Sequence, residues 1–158
     1  MLRLFILAAT AVVTFAQLGC APATYQKTDT GEPPTLAMAT QTWTGASYNA
    51  LPAVDDLMIQ ADSQIAASNW DLAEEKLERA LRISPDYAPA WSRLSQIALY
   101  RDDPQRAIQM AKRSNSHAGN SVDLKLLNWQ FIRQASEMLE DADGVQNASK
   151  NIYILQSL

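Results

Sequence analysis

The sequence predicts an all-α chain of helical hairpin repeats, two of them clear and a third degenerate, following a disordered tether. Three observations carry this. Beyond Pro52 apolar residues fall at helical spacing. Large and small residues at set positions, Leu57, Ala61 and Ala73, recur one period of about 34 residues later at Trp91, Ser95 and Ala107. The stretch before Pro52 is rich in Pro, Thr and Ala and holds no sustained apolar period. With 158 residues, 47% of them hydrophobic, the chain has material for one compact core and a tail, not for two sizeable cores.

Residues 1–19 read as a signal peptide: Arg3 gives a basic start, Leu4 through Ala16 an apolar run, and Gly19-Cys20 a small-residue exit. The apolar run is shorter than the ~20 residues a permanent membrane helix needs, and polar sequence follows it, so cleavage is expected. The ending Gln17-Leu18-Gly19-Cys20 resembles the bacterial lipobox, in which a small residue precedes a cysteine that is acylated and becomes the new N-terminus. The resemblance implies lipidation of Cys20 and, because Ala21 rather than Asp follows, delivery to the outer membrane with the chain facing the periplasm. Gln17 departs from the usual Leu, and Thr14-Phe15-Ala16 offers a rival site for ordinary cleavage. Buried acyl methylenes contribute about 0.8 kcal/mol each, so several chains would give a long-lived attachment.

Residues 20–52 read as the lipidated cysteine and its tether, with Pro22, Pro33, Pro34 and Pro52 spread along it. A flexible coil of this length spans on the order of 30 Å, and a taut one on the order of 100 Å. Trp43 and Tyr48 are unusual in such a segment; they suit a cap on the first helix or a short recognition element.

Residues 53–158 form the repeat domain. Ala73, Leu77, Ala80 and Pro85 resemble the second-helix signature of a tetratricopeptide repeat, and Leu57 and Ala61 stand where that family places a large and a small residue on the first helix. Trp70 takes the aromatic position at the turn. One period later Trp91 and Leu94 fill the large first-helix positions, Ser95 the small one, and Ala107 opens the second helix. In the third unit Trp129 and Ile132 repeat the large positions, Val145 stands where a small residue belongs, and four extra residues around 119–125 precede it. Large residues on one helix must enter the gap left by small residues on the next, which is why these positions recur. Pro85 ends the first unit, and Asp103-Pro104 supplies a cap followed by proline at the first helical position. Helices are expected near 54–67, 70–83, 88–101, 104–117, 122–139 and 143–155.

Charge and chemistry exclude several function classes. Thirteen bases stand against 17 acids, a net charge of −4, and removal of residues 1–19 takes away Arg3 and makes it −5. Acids and bases interleave, as in Glu74-Glu75-Lys76 and Glu78-Arg79, so no single-sign face invites nucleic acid or an anionic membrane. One cysteine and one histidine, Cys20 and His117, provide neither a disulfide framework nor a structural metal site. His117 falls at a helix exit, where its charge suits the helix end. Asp55-Asp56 and Asp102-Asp103 lie at helix starts, where carboxylates complement the dipole. The five glycines are scattered and make no phosphate loop. Asn147-Ala148-Ser149 matches the glycosylation pattern, which is common by chance. No enzyme activity, cofactor or metal is expected.

Ala111-Lys112-Arg113-Ser114-Asn115, Asn128-Trp129 with Ile132, and Pro52-Ala53-Val54 are similar to segments of a group of small tetratricopeptide lipoproteins of Gram-negative bacteria. That group includes outer-membrane activators of class A penicillin-binding proteins, the bifunctional peptidoglycan synthases. The resemblance implies a regulator that binds another envelope protein, attached to the membrane only through its lipid. Its partner-binding groove would be lined on the first helices by Met58, Asp62, Ile65, Ser92, Gln96, Leu99, Tyr100, Gln130, Gln134 and Met138. A scaffold or assembly factor for a secretion or pilus machine would use the same anchor and groove.

Overall fold

A computed structural model describes residues 51–158. The expected signal peptide, Cys20, the tether and its Trp43 and Tyr48 lie outside the described residues. The described chain is six helices: α1 Pro52–Ala66, α2 Trp70–Ile83, α3 Ala88–Tyr100, α4 Pro104–His117, α5 Val122–Met138 and α6 Ala142–Gln156. They pack as the hairpins α1–α2, α3–α4 and α5–α6, with α3 also meeting α2 and α5, and α4 meeting α5.

Local chemistry sets the helix starts. Pro52 and Pro104 open α1 and α4 at the first position, where a missing N–H costs nothing. The Asp103 carboxylate accepts from Arg106 N at 3.1 Å, Ser121 Oγ from Leu124 N at 3.4 Å, and Asp141 Oδ1 from Gly144 N at 3.0 Å, capping α4, α5 and α6.

Every hairpin turns in the same way. Ser68, Asp102 and Glu140 all adopt left-handed backbone, with φ of 58°, 59° and 55°. In each case the next N–H reaches back five residues into the preceding helix: Asn69 N to Gln64 O, Asp103 N to Ala98 O and Asp141 N to Ser136 O, each 2.9 Å. This is the Schellman closure of a helix end. Its spacing along the chain, 34 and then 38 residues, carries the repeat and the four-residue insertion into the backbone itself.

The small positions let helices approach within each hairpin. Ala73, Ala80, Ala107 and Ala111 are fully buried, and Ser95 is too; its hydroxyl donates to the carbonyl of Ala107 at 2.8 Å. Around them Leu57, Leu77, Leu94 and Ile97 form the first core, with Trp70, Trp91 and Met110 against it. Leu99, Leu127, Phe131 and Ile132 form the second, with Ile108 and Trp129 against it. The core therefore runs from unit to unit through α3, which contributes to both clusters, as stacked repeats require.

In the third hairpin the tight contact falls one residue earlier than the repeat register places it. Val145 is only partly buried, and the small residue is Gly144. A methyl group there would lie 2.5 Å from Ser136 Oγ and 2.3 Å from Asp141 Oδ2. Glycine lets α6 sit against α5 and leaves room for its own capping carboxylate.

Candidate functional site

The first helices α1, α3 and α5 carry the expected groove positions, and the structure sorts them into two groups. Met58, Ile65, Ser92, Gln96 and Leu99 are buried, with Ser92 and Gln96 only 2% and 4% exposed. Ser92 Oγ is enclosed without a hydrogen-bond partner. Asp62, Tyr100, Gln130 and Gln134 keep partial exposure, and Met138 is exposed. From Ala88 through Leu99 every residue but Trp91 is buried.

Two of the partly exposed positions have partners within the chain. Asp62 accepts from Arg93 Nε at 2.7 Å, and Arg93 Nη1 reaches Gln96 Oε1 at 3.4 Å, joining α1 to α3. Arg93 is a buried guanidinium, and its planar fork suits such a paired position. Tyr100 stacks on Trp70 with ring centroids 4.5 Å apart and planes 16° apart, which locks the end of α3 to the start of α2. Below that stack Arg101 pairs with Asp71 and Glu74, and Arg106 with Glu74. These ion pairs tie the first unit to the second. Gln130, Gln134 and Met138 on α5 are left as the expected groove positions with accessible surface and no hydrogen bond, ion pair or ring stacking of this kind among the described residues.

A second set of residues, found in the sequence only as a resemblance, acquires a physical role. Ser114 Oγ donates to the Ala88 carbonyl at 2.8 Å, and Asn128 Nδ2 donates to both Ser114 Oγ at 2.8 Å and Asn115 Oδ1 at 2.9 Å. Ser114 and Asn128 are completely buried. One polar seam thus joins the start of α3, the end of α4 and the middle of α5. Beside it the Arg113 guanidinium lies 4.2 Å above the Trp91 ring, whose indole N–H donates to Pro85 O at 2.8 Å. Arg113-Ser114-Asn115 and Asn128-Trp129 are, in this chain, the joint between the second and third units.

No three of His, Cys, Asp and Glu gather among the described residues to hold a metal. His117 Nδ1 stands 3.4 Å from Asp86 Oδ1, closing the α2–α3 turn on the end of α4. Among the described residues no helix is long and apolar enough to cross a membrane.

This domain is similar to the globular C-terminal domain of P. aeruginosa LpoP. The two share 29% sequence identity and a TM-score of 0.60, over 67% of this chain and 97% of that domain. The all-α hairpin architecture is common to both. No protein-family model matches the chain, and neither does any curated protein.

Proposed function

We propose that this chain is a lipid-anchored outer-membrane protein, attached through Cys20, whose repeat domain binds and activates a bifunctional class A penicillin-binding protein without catalysing a reaction itself. One observation carries the reading: similarity in both sequence and fold to nearly the whole LpoP globular domain. The segments on which the sequence resembles the activator lipoproteins, Arg113-Ser114-Asn115 and Asn128-Trp129, build the joint between units two and three in this chain.

The physical plan supports it. An acylated Cys20 holds the chain at the membrane, and a tether over residues 20–52 would let the domain work on the order of 30 Å or more away. Gln130, Gln134 and Met138 offer accessible surface on α5 for another protein. The chain's acidic balance disfavours nucleic acid.

Binding of purified class A synthase to immobilised residues 50–158 tests the partner. Saturable binding that weakens at least fivefold in Gln130→Ala/Gln134→Ala is the expected result. No binding, with components of a secretion or pilus machine recovered instead by crosslinking in intact cells, would replace the activator by a scaffold.

A further inference from the structure

A concave surface lies away from the accessible α5 positions Gln130 and Gln134. An open cleft of about 430 Å³ lies where the two second helices α2 and α4 diverge over α3. Its floor is apolar, made by Trp91 and Leu94 of α3 with Leu81 and Met110 from the two walls. Its rim is basic: Arg82 on α2, and Arg106 and Arg113 on α4, against a single acid, Glu78. The walls owe this to helical spacing, since Arg106, Met110 and Arg113 stand at i, i+4 and i+7 on one face of α4, and Glu78, Leu81 and Arg82 share a face of α2.

The charges are not all answered within the chain. Arg106 is paired with Glu74. Arg82 and Arg113 form no ion pair among the described residues, and Arg113 rests on the Trp91 ring instead. In a chain of net charge −4, this is a local reversal of sign around an apolar floor. We propose that the cleft is a second docking site, taking a polypeptide segment that carries an aliphatic or aromatic side chain between acidic residues. The apolar side chain would sit on Leu81, Leu94 and Met110, and its flanking carboxylates would meet Arg82 and Arg113.

A peptide fits better than a glycan. The Trp91 ring already has a guanidinium over it, and its N–H is taken by the Pro85 carbonyl, so the indole has neither an open face on that side nor a donor to offer a sugar. The remaining floor is aliphatic, whereas guanidinium groups flanking an apolar slot match carboxylates flanking an apolar side chain. No α5 residue lines the cleft, so its occupancy can be tested apart from the Gln130 and Gln134 surface.

The test uses the full chain in mild detergent and a short fluorescein-labelled peptide with a central Leu-Phe pair flanked on both sides by glutamates, read by fluorescence anisotropy. Saturable binding that falls with added salt, and that weakens at least tenfold in Arg82→Glu and in Arg113→Glu, is the expected result. Gln130→Ala/Gln134→Ala should leave it unchanged. Arg82 makes no hydrogen bond, ion pair or cation–π contact among the described residues, so Arg82→Glu remains decisive if Arg113→Glu disturbs the fold, which circular dichroism would show. Equal binding of a lysine-flanked peptide, indifference to Arg82→Glu, or binding of soluble peptidoglycan fragments in place of the peptide would overturn the proposal. Absence of peptide binding alongside intact synthase binding would remove this cleft and leave the activator reading standing.

Discussion

Individual residues show where the repeat is held and where it is under strain. Asn128 donates to two partners inside the domain, and replacing it by Leu leaves Ser114 Oγ without a donor to accept from and Asn115 Oδ1 unpaired. Unpaired buried polar groups cost about 1–3 kcal/mol each, so Asn128→Leu is expected to destabilise residues 50–158 by about 2 kcal/mol in urea unfolding. A neutral or stabilising result would mean that the seam holds nothing together. The turn residues run the other way. Glu140 has left-handed backbone, which is unfavourable for a residue with a Cβ by about 1–2 kcal/mol, and glycine relieves that at the expense of chain entropy. Glu140→Gly is therefore expected to raise Tm by a few degrees, as a gain of about 0.5–1 kcal/mol would in a domain of this size; a fall in Tm would contradict the account of the turn.

At the scale of helices, much was legible in advance and the exceptions have physical causes. The six helices begin and end within two residues of the expected bounds, because prolines, cap residues and the recurring small positions all mark the same boundaries. Two features were hidden. The turns use Ser, Asp and Glu where left-handed backbone ordinarily announces itself by Gly, so only the hydrogen bonds reveal the common closure. In the third unit the register pointed to Val145, while Gly144 does the work; a glycine in the first turn of a helix was the signal available. Gly144→Ala should destabilise by about 1 kcal/mol despite alanine's better helix propensity, since its methyl would displace both Ser136 Oγ and the capping Asp141 carboxylate and so remove a cap contact worth about that much. A stabilised variant in thermal melts would show that the two helices can part freely.

The groove was the least legible part, and α3 explains why. Positional mapping takes the first helices as a bare lining, but a residue's exposure depends on everything packed around it, which no spacing rule contains. Ser92, Gln96 and Leu99 map to the groove and yet are buried, and Tyr100 is committed to Trp70. Gln130 and Gln134, on α5, keep accessible surface.

Across the whole molecule, the core is continuous only because α3 belongs to two clusters and the α5–α6 hairpin closes the second. Ala148 of α6 is completely buried in that second cluster. Ending the chain after residue 139 removes α6, uncovers Ala135 and Phe131, and should abolish cooperative unfolding of the second and third units, since stacked repeats need about three units to bury a continuous core. A truncated chain with an undiminished urea midpoint would show that the first two units suffice. At the same scale, Cys20→Ser is expected to release the chain from the membrane fraction after export; retention in that fraction would contradict the lipid anchor.

The activator reading can be checked most directly by its effect on synthesis. Residues 50–158 would be added to class A synthase from the same organism, and glycan polymerisation followed with lipid-linked precursor, with a parallel incubation of the domain alone on purified cell wall. The account predicts faster polymerisation, a weaker effect for Gln130→Ala/Gln134→Ala, and no release of fragments by the domain alone. An unchanged polymerisation rate, or cell-wall turnover without the synthase, would contradict it.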